Sequence, residues 1–326
     1  MINEKLFDEV LLNPGMQGCD ELFIVAGYAT SAMAFHHLEG LRKNNIDARV
    51  KLIVGMTPVS GLALSNHRGF QKIVDDDYPE SFECSYLISS IAVHSKVYSW
   101  FKHSKPYKGF VGSANYTQRA FGKLQREAMG VIDARLGWEY FNNLIDDTIF
   151  CNHPEAEDYV SLYNYRKEIS DLTGWEDPDI VEPISSKMDE LESVKVSFLS
   201  NGELPQRSGL NWGQRPEEHR EPNQAYIRLT SDIYNTDFFP ERGQHFTVLT
   251  DDNKVLICTR AQDNGKAIHT PHNNSLIGEY FRNRLGIGFG NPVTIENLKK
   301  YGRTDLTFYK LDEETYFMDF SGPTNG

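Results

Sequence analysis

Short apolar runs alternate with polar segments of helical spacing in the first half of the chain. The runs have the length of buried strands and lie at Leu22–Tyr28, Val50–Gly55, Glu83–Ser89, Ala92–Phe101, Phe110–Gly112 and Met129–Ile132. Helices are predicted at Ser31–Arg42, where Ala34, Leu38 and Leu41 recur at helical spacing, and at Pro58–Val74. Strands separated by helices predict an α/β sandwich.

The second half has a different pattern, with short strand-like runs and few helices. The runs lie at Ala225–Leu229, Gln244–Leu249, Lys254–Cys258, Thr307–Leu311 and Thr315–Phe320, and one helix is predicted at Leu276–Leu285. This half is expected to form a mainly β, barrel-like domain. The Pro-, Ser- and acid-rich stretch between the halves predicts a first domain at 1–180, a linker at 181–193 and a second domain at 194–326.

The distribution of charge changes this picture more than its total does. The formal net charge of −13 is unfavourable for binding nucleic acid. However, no acidic residue lies between Glu83 and Glu127, and this stretch holds Lys96, Lys102, Lys105, Lys108, Arg119, Lys123 and Arg126. An acidic chain with one basic segment is expected to use that segment to bind an anion.

Cysteine spacing and hydropathy exclude several classes of protein. Cys19, Cys84, Cys151 and Cys258 are far apart and form no CxxC pair, so they are expected to be buried, reduced thiols. No apolar run approaches the ~18–20 residues of a membrane span, and the first residues lack the pattern of a signal peptide. We therefore expect a cytoplasmic protein that does not bind a membrane.

The acid-free segment contains the residue types that phosphoryl transfer requires. His94 and Lys96 are two residues apart, and on a strand both would point to one face. Gly112–Asn115 follows, where Ser113 and Asn115 supply neutral donors on a tight turn. The set offers a nucleophile, a cation for the nonbridging oxygens and preorganised donors. Glu127 opens a strand-like run, and its carboxylate is expected to orient an imidazole.

These residues resemble the HKD motif of the phospholipase D superfamily, over about residues 21–134. The resemblance implies a sheet-centred α/β fold and a covalent phosphohistidine formed without metal or other cofactor. It assigns His94 as nucleophile, Lys96, Ser113 and Asn115 as phosphate ligands, and Glu127 as the residue that orients the histidine. The sequence departs from the classical pattern at Phe101, where an Asp is usual. Nuclease members of the superfamily resemble this chain in lacking that Asp.

The chain has no second HxK unit. Active sites of the superfamily use two histidines, one that attacks and one that protonates the leaving oxygen. One unit per chain therefore implies a homodimer with His94 near a twofold axis, formed through the first domain. A degenerate, inactive copy is the alternative, although His94, Lys96, Ser113 and Asn115 are all present.

The second half resembles the B3-like DNA-recognition domain, most strongly over 209–226. The combination of the two domains is similar to the NgoFVII-type restriction endonuclease family along essentially the whole chain. Arg pairs with guanine, and Asn or Gln with adenine, in the major groove. Two polar clusters are therefore predicted to bind DNA as the two arms of a clamp: Arg207, Asn211, Gln214, Arg215, Arg220, Asn223 and Gln224 in the first, and Arg260, Gln262, Lys266, His272, Asn273 and Asn274 in the second. Ordinary solvated loops are the alternative.

The leading hypothesis is a sequence-specific restriction endonuclease acting on double-stranded DNA. A non-specific phosphodiesterase of the phospholipase D type is one alternative, and a DNA-binding regulator with an inactive nuclease half is another. The resemblance also implies that some members work with a separate ATP-dependent partner protein, and this sequence shows no P-loop.

Overall fold

The structure is a computed structural model that describes residues 1–122, 125–164 and 188–322. The chain forms two compact units, Met1–Ile184 and Ser185–Gly326. Most of the predicted linker at 181–193, and Lys123 of the basic segment, lie outside the described residues, so the predicted domain boundaries stay a prediction.

A seven-stranded mixed sheet forms the centre of the first unit. Its strands and a small separate pair are β1 (Glu21–Ala26), β2 (Arg49–Val54), β3 (Leu62–Ala63), β4 (Phe82–Leu87), β5 (Lys96–Lys102), β6 (Lys105–Gly112), β7 (Met129–Ile132), β8 (Thr148–Phe150) and β9 (Leu162–Tyr163). The order in the sheet is β7-β6-β5-β1-β2-β4-β8, and β3 pairs with β9. β1 is parallel to β2 and antiparallel to β5, so the carboxyl end of β1 lies beside the start of β5.

Helices cover both faces of this sheet. They are α1 (Asn13–Met16), α2 (Ser31–Lys43), α3 (Thr57–Ser60), α4 (Leu64–Lys72), α5 (Gln118–Phe121), α6 (Ala134–Ile145) and α7 (Ala156–Tyr159), with π-helical turns at Phe7–Leu12 and Ile73–Asp77. Val97 and Phe101 pack in one core cluster with Phe141 of α6. On the alternate positions of β5, the Trp100 indole donates to the carbonyl of Val10 (2.7 Å). The predicted α/β sandwich is confirmed.

Two predicted elements differ from the structure. The helix expected over Pro58–Val74 is divided into α3 and α4, because Gly61 has φ +60° and its backbone lies against Ser161. The strand expected from Ala92 begins only at Lys96. The Val93 amide instead donates to the Gly55 carbonyl (2.8 Å), which draws the chain before Lys96 away from the line of β5. His94 therefore precedes the strand.

A second seven-stranded sheet forms the other unit. Its strands are β10 (Ser193–Ser197), β11 (Ile227–Arg228), β12 (His245–Thr250), β13 (Val255–Ala261), β14 (Ala267–His269), β15 (Asp305–Lys310) and β16 (Thr315–Asp319). The order is β10-β15-β16-β12-β13-β14-β11, and the edge strands β10 and β11 approach each other, so the sheet nearly closes. The mainly β, barrel-like prediction is confirmed.

In the described part of the second unit, the helices are α8 (Ser231–Tyr234), α9 (Ser275–Leu285) and α10 (Ile295–Tyr301), with 3-10 turns at Met188–Glu190, Gly209–Asn211, Pro216–Glu218 and Asp263–Gly265. Phe281 of α9 and Leu298 of α10 are fully buried in the core of this unit with Phe246 and Phe308 from the sheet. Within the described ranges, no helix is long and apolar enough to cross a membrane.

Candidate functional site

The predicted catalytic residues converge at one end of the first sheet. Lys96 pairs with Ala26 where β5 starts and β1 ends. Gly112 at the end of β6 pairs with Met129 at the start of β7. The loops that leave or enter these strand ends carry His94, Ser113, Asn115 and Glu127, which explains how residues far apart in sequence meet.

Two glycines allow His94 to lie against the backbone of the strand ends. A Cβ atom on Gly27 would lie 2.8 Å from the Cδ2 of His94, and a Cβ on Gly55 would collide with Val93. Only a residue without a side chain permits such a close approach. The exposed His94 is thus seated on a fixed surface although it lies outside the strand.

The Lys96 ammonium contacts the histidine directly. Its Nζ lies 3.1 Å from His94 Nε2 and donates to the His94 carbonyl at 2.7 Å. An ammonium group only donates hydrogen bonds, so this contact assigns the lone pair to Nε2 and the proton of a neutral ring to Nδ1. Burial lowers the pKa of Lys96, whereas the nearby Glu127 carboxylate acts in the opposite direction. The arrangement presents an imidazole lone pair beside a cation.

Glu127 is buried and its carboxylate accepts a hydrogen bond from Ser113 Oγ. The same hydroxyl oxygen accepts from the Ala128 amide (3.1 Å). The predicted contact between Glu127 and the imidazole of His94 is therefore replaced, within this chain, by a contact with Ser113. The carboxylate fixes the serine and balances the charge of Lys96.

The side chain of Asn115 has a defined orientation. Its Oδ1 accepts a hydrogen bond from the Tyr28 amide (3.1 Å). An N–H group must face the oxygen of a carboxamide, because the nitrogen of the carboxamide is only a donor. The NH₂ group is thereby left to donate elsewhere. Tyr28 also places its ring edge-to-face with that of His94, with centroids 5.8 Å apart. Sequence reasoning missed this residue, because an isolated Tyr after a strand carries no motif.

Two residues predicted to contact DNA are buried in the second unit instead. Asn211 is 0% exposed and bonds to the amide and carbonyl of Val293 (both 2.8 Å). The guanidinium of Arg260 donates to backbone carbonyls of Tyr234 (2.6 Å) and Gly265 (3.0 Å). These contacts give both residues structural roles in place of the predicted contacts with DNA.

The other members of the first cluster are largely engaged within the protein. Arg207 pairs with Glu217, while Arg215 and Arg220 both pair with Glu218 (2.9 and 2.5 Å). The guanidinium of Arg220 also lies 4.0 Å from the ring centre of Trp212. Each of the three arginines therefore has an acidic partner within the same segment, and their contact with DNA stays a prediction.

Most of the Asn and Gln side chains predicted to bind DNA form hydrogen bonds within the protein, in both clusters. Gln214 donates to the carbonyls of Pro222 and Gly290 (both 3.0 Å), and Asn223 accepts from the Gly290 amide (2.6 Å). Asn274 bonds to His269 (2.7 Å) and Asn273 accepts from the Ser275 amide (2.9 Å). Gln224 is half-buried, whereas His272 is exposed.

A cleft of about 840 Å³ lies between the segment 200–208 and the segment 262–266. Its polar lining includes Gln262 and Lys266 of the second predicted cluster and, in addition, Gln206 and Arg228. None of the seven residues of the first cluster lines it. The sequence did contain a signal for Arg228. It is an exposed cation between two buried apolar residues, Ile227 and Leu229, at β11.

Within the described ranges, no group of three or more His, Cys, Asp or Glu side chains is arranged to hold a metal ion.

The fold and these sites define a phospholipase D (PLD)-like nuclease domain followed by a B3-like domain. Residues 4–158 match the model of the NgoFVII restriction endonuclease N-terminal PLD domain, and residues 186–312 match that of the NgoFVII C-terminal B3-like DNA-binding domain. The chain belongs to the NgoFVII restriction endonuclease family. The predicted family and fold class are confirmed.

Two solved structures are similar to parts of the chain. NucT from Helicobacter pylori is 15% identical over 45% of this chain and 94% of its own, with a TM-score of 0.31. A polyphosphate kinase from Porphyromonas gingivalis is 15% identical over 43% of this chain, with a TM-score of 0.28. This chain spans 19% of the kinase. No curated protein matches the chain.

Arg260→Ala is predicted to destabilise the second unit. The change leaves several buried carbonyl oxygens without a donor, at a cost of ~1–3 kcal/mol each, so the free energy of unfolding should fall by ~3 kcal/mol or more. Denaturant titration measures this free energy. Lys266→Ala is the control, because Lys266 is exposed and lies six residues along the chain, and it should change the free energy of unfolding by under ~0.5 kcal/mol. An Arg260→Ala protein of unchanged stability that had lost specific DNA binding would reinstate Arg260 as a base-reading residue.

Proposed function

We propose that the chain is a sequence-specific restriction endonuclease that cleaves DNA through a covalent intermediate on His94. The observation that carries the proposal is the contact between Lys96 Nζ and His94 Nε2, at 3.1 Å, beside the loop of Ser113 and Asn115. A nucleophilic nitrogen, a cation and two neutral donors at one strand end suit attack on a phosphodiester better than any other common reaction.

The proposed reaction has two steps. In the first, a nonbridging oxygen of the phosphate replaces His94 Nε2 as acceptor of the Lys96 ammonium, which frees the lone pair of Nε2 to attack phosphorus. The phosphorus–oxygen bond to the leaving nucleoside breaks, and that oxygen takes a proton from a second histidine. In the second, water gives a proton to that histidine and attacks phosphorus, which breaks the phosphorus–nitrogen bond and restores His94. Lys96 and the NH₂ of Asn115 stabilise the charge on the nonbridging oxygens throughout, and Ser113, fixed by Glu127, completes the phosphate site.

The second histidine is supplied by another copy of the chain. One HxK unit cannot provide both the nucleophile and the acid. Large apolar side chains near the site are exposed in the single chain, with Ile91 at 79%, Val111 at 39% and Val131 at 57%. Such residues, next to a site that needs a second histidine, support a twofold interface that includes the ends of β5, β6 and β7.

The cleft of the second unit is proposed to bind the edges of DNA bases. Arg228 donates to Ser200 (2.8 Å), which holds its guanidinium at the cleft wall, and Lys266 adds a second positive charge. Gln262 has φ +62° and ψ +175°, a backbone conformation that is almost restricted to glycine. A strained Gln that lines a cleft supports a role in recognition, and Gln pairs bidentately with adenine.

His94→Ala should abolish cleavage and leave sequence-specific binding intact, because the nucleophile and the cleft belong to different units. Plasmid cleavage and a binding assay on the cognate site separate the two effects. His103→Ala, whose side chain is 79% exposed at the tip of the β5–β6 turn, is the matched control and should retain wild-type activity. Substantial cleavage by His94→Ala would exclude His94 as the nucleophile.

Cleavage should persist in EDTA, because Lys96 supplies the charge that a divalent ion provides in other nucleases. The measurement is single-turnover cleavage by the purified protein, with ATP and without it, since a separate ATP-dependent partner stays a prediction from the family resemblance. A chemical step that needs a divalent ion under all conditions would contradict the metal-independent mechanism.

Mixed dimers should test the shared site. Wild-type chains are mixed with an excess of His94→Ala chains and allowed to exchange. Activity should fall further than dilution alone predicts, because each heterodimer has only one His94 and the shared site needs two. Exchange with His103→Ala chains should cause no such fall. A fully active monomer in analytical ultracentrifugation would refute the shared site.

Gln262→Gly should raise stability and lower discrimination between DNA sequences. Removal of the strain should add ~1 kcal/mol to the free energy of unfolding, while the lost bidentate contact should cost ~1–3 kcal/mol of specific binding. Asn264→Gly is the control, because Asn264 also has a positive φ (58°) but does not line the cleft. Unchanged discrimination in Gln262→Gly would exclude Gln262 from base recognition.

A further inference from the structure

We propose that Tyr28 is a positioning residue of the active site, which holds His94 and Asn115 in their reactive arrangement. The inference rests on the proposed function, because it takes His94 as the nucleophile. Tyr28 follows β1 and Gly27, so it occupies the strand end where the catalytic loops converge.

The Tyr28 side chain packs against the nucleophile. Its ring meets that of His94 at an interplanar angle of 78° with centroids 5.8 Å apart, a favourable edge-to-face geometry. The ring also lies close to the backbone of Gly27, because a Cβ atom there would lie 2.8 Å from His94 Cδ2. Lys96 holds Nε2. Contacts from two segments, the end of β1 and the start of β5, therefore restrict the imidazole. The ring of Tyr28 can be removed by substitution without loss of the charge of Lys96.

The Tyr28 backbone holds the phosphate-binding loop. Its amide donates to Asn115 Oδ1 and its carbonyl accepts from the Tyr116 amide, both at 3.1 Å. The first bond orients the carboxamide and the second fixes the loop that carries it. Tyr28 thus contacts both the proposed nucleophile and a proposed phosphate ligand.

The Tyr28 ring is itself anchored. Its hydroxyl lies 3.1 Å from Ser60 Oγ at the end of α3, and the side chain as a whole is 37% exposed. An aromatic ring held at its backbone and at its hydroxyl has few alternative rotamers, so it can hold a neighbouring imidazole in place. The backbone bond to Asn115 does not depend on the side chain, so substitutions of Tyr28 isolate the contact with His94.

The expected effect is on the rate of the chemical step. Displacement of a reacting group by about 1 Å can cost ~100-fold in rate. We expect Tyr28→Leu to lower the single-turnover rate constant of cleavage ~10- to 100-fold with an unchanged affinity for DNA. Tyr28→Phe keeps the ring and should stay within ~5-fold of the wild type, since it loses one hydrogen bond. Ser60→Ala removes the same bond, and the double variant should be no slower than either single one.

The experiment measures single-turnover cleavage, DNA affinity and thermal unfolding for these variants of the full chain. Tyr107→Leu is the matched control, because Tyr107 is 45% exposed, contacts Gln17 and lies at the other end of β6. It should behave as the wild type. His94→Ala, measured in parallel, reports on the proposed function separately.

Four outcomes are informative. A slow Tyr28→Leu with normal affinity, rescued by Tyr28→Phe, supports the proposal. A wild-type rate for Tyr28→Leu beside an inactive His94→Ala overturns it and leaves the proposed function intact. A weaker affinity for DNA with an unchanged single-turnover rate constant also overturns it, because the ring then contacts DNA. If Tyr28→Leu does not fold, additive losses in Tyr28→Phe and Ser60→Ala overturn the proposal, whereas equal losses that do not add support it.

Discussion

The close approach of two backbone segments at the end of the first sheet is the constraint on which the active site depends. Gly27 and Gly55 end neighbouring parallel strands, and the segment before Lys96 lies directly on them. The hydrogen bond between the Val93 amide and the Gly55 carbonyl sets the path of this segment and thereby the position of His94, the next residue. The backbone thus limits where the imidazole can lie, and the side chains of Tyr28 and Lys96 contact its ring within that space.

In the second unit, buried guanidinium groups hold irregular backbone segments in place. Arg282 is fully buried and donates to carbonyls that include those of Asn291 (2.8 Å), Pro222 (3.2 Å) and Gly278 (3.2 Å). Arg260 does the same around the segment 262–266. Burial lowers the pKa of both side chains. Polar backbone in irregular segments needs donors, and a guanidinium supplies five in a fixed plane. The two cations therefore organise the polar segments of this unit.

The distribution of charge along the chain agrees with the proposed roles of its basic residues. The net charge is −13, yet the segment between Glu83 and Glu127 has no acid, and Glu127, the first one after it, contacts Ser113 in the site. Basic side chains that carry proposed roles, Lys96 and Arg228, have defined partners that orient them. Local arrangement, rather than total charge, makes an acidic protein suited to a polyanion.

The sequence alone determined the two folds and the family and pointed to the proposed catalytic residues, because apolar periodicity and the HxK and GSxN motifs are local properties. Its single HxK unit is also the basis for the proposal that two copies share one site. Only the tertiary structure decided that His94 precedes β5, that Glu127 contacts Ser113, and that Tyr28 touches both His94 and Asn115, because these contacts join distant strand ends. It likewise placed Asn211 and Arg260 in the interior and Arg228 in the cleft. A polar side chain that reads a base and one that satisfies buried carbonyls have the same sequence signature, and only burial separates them.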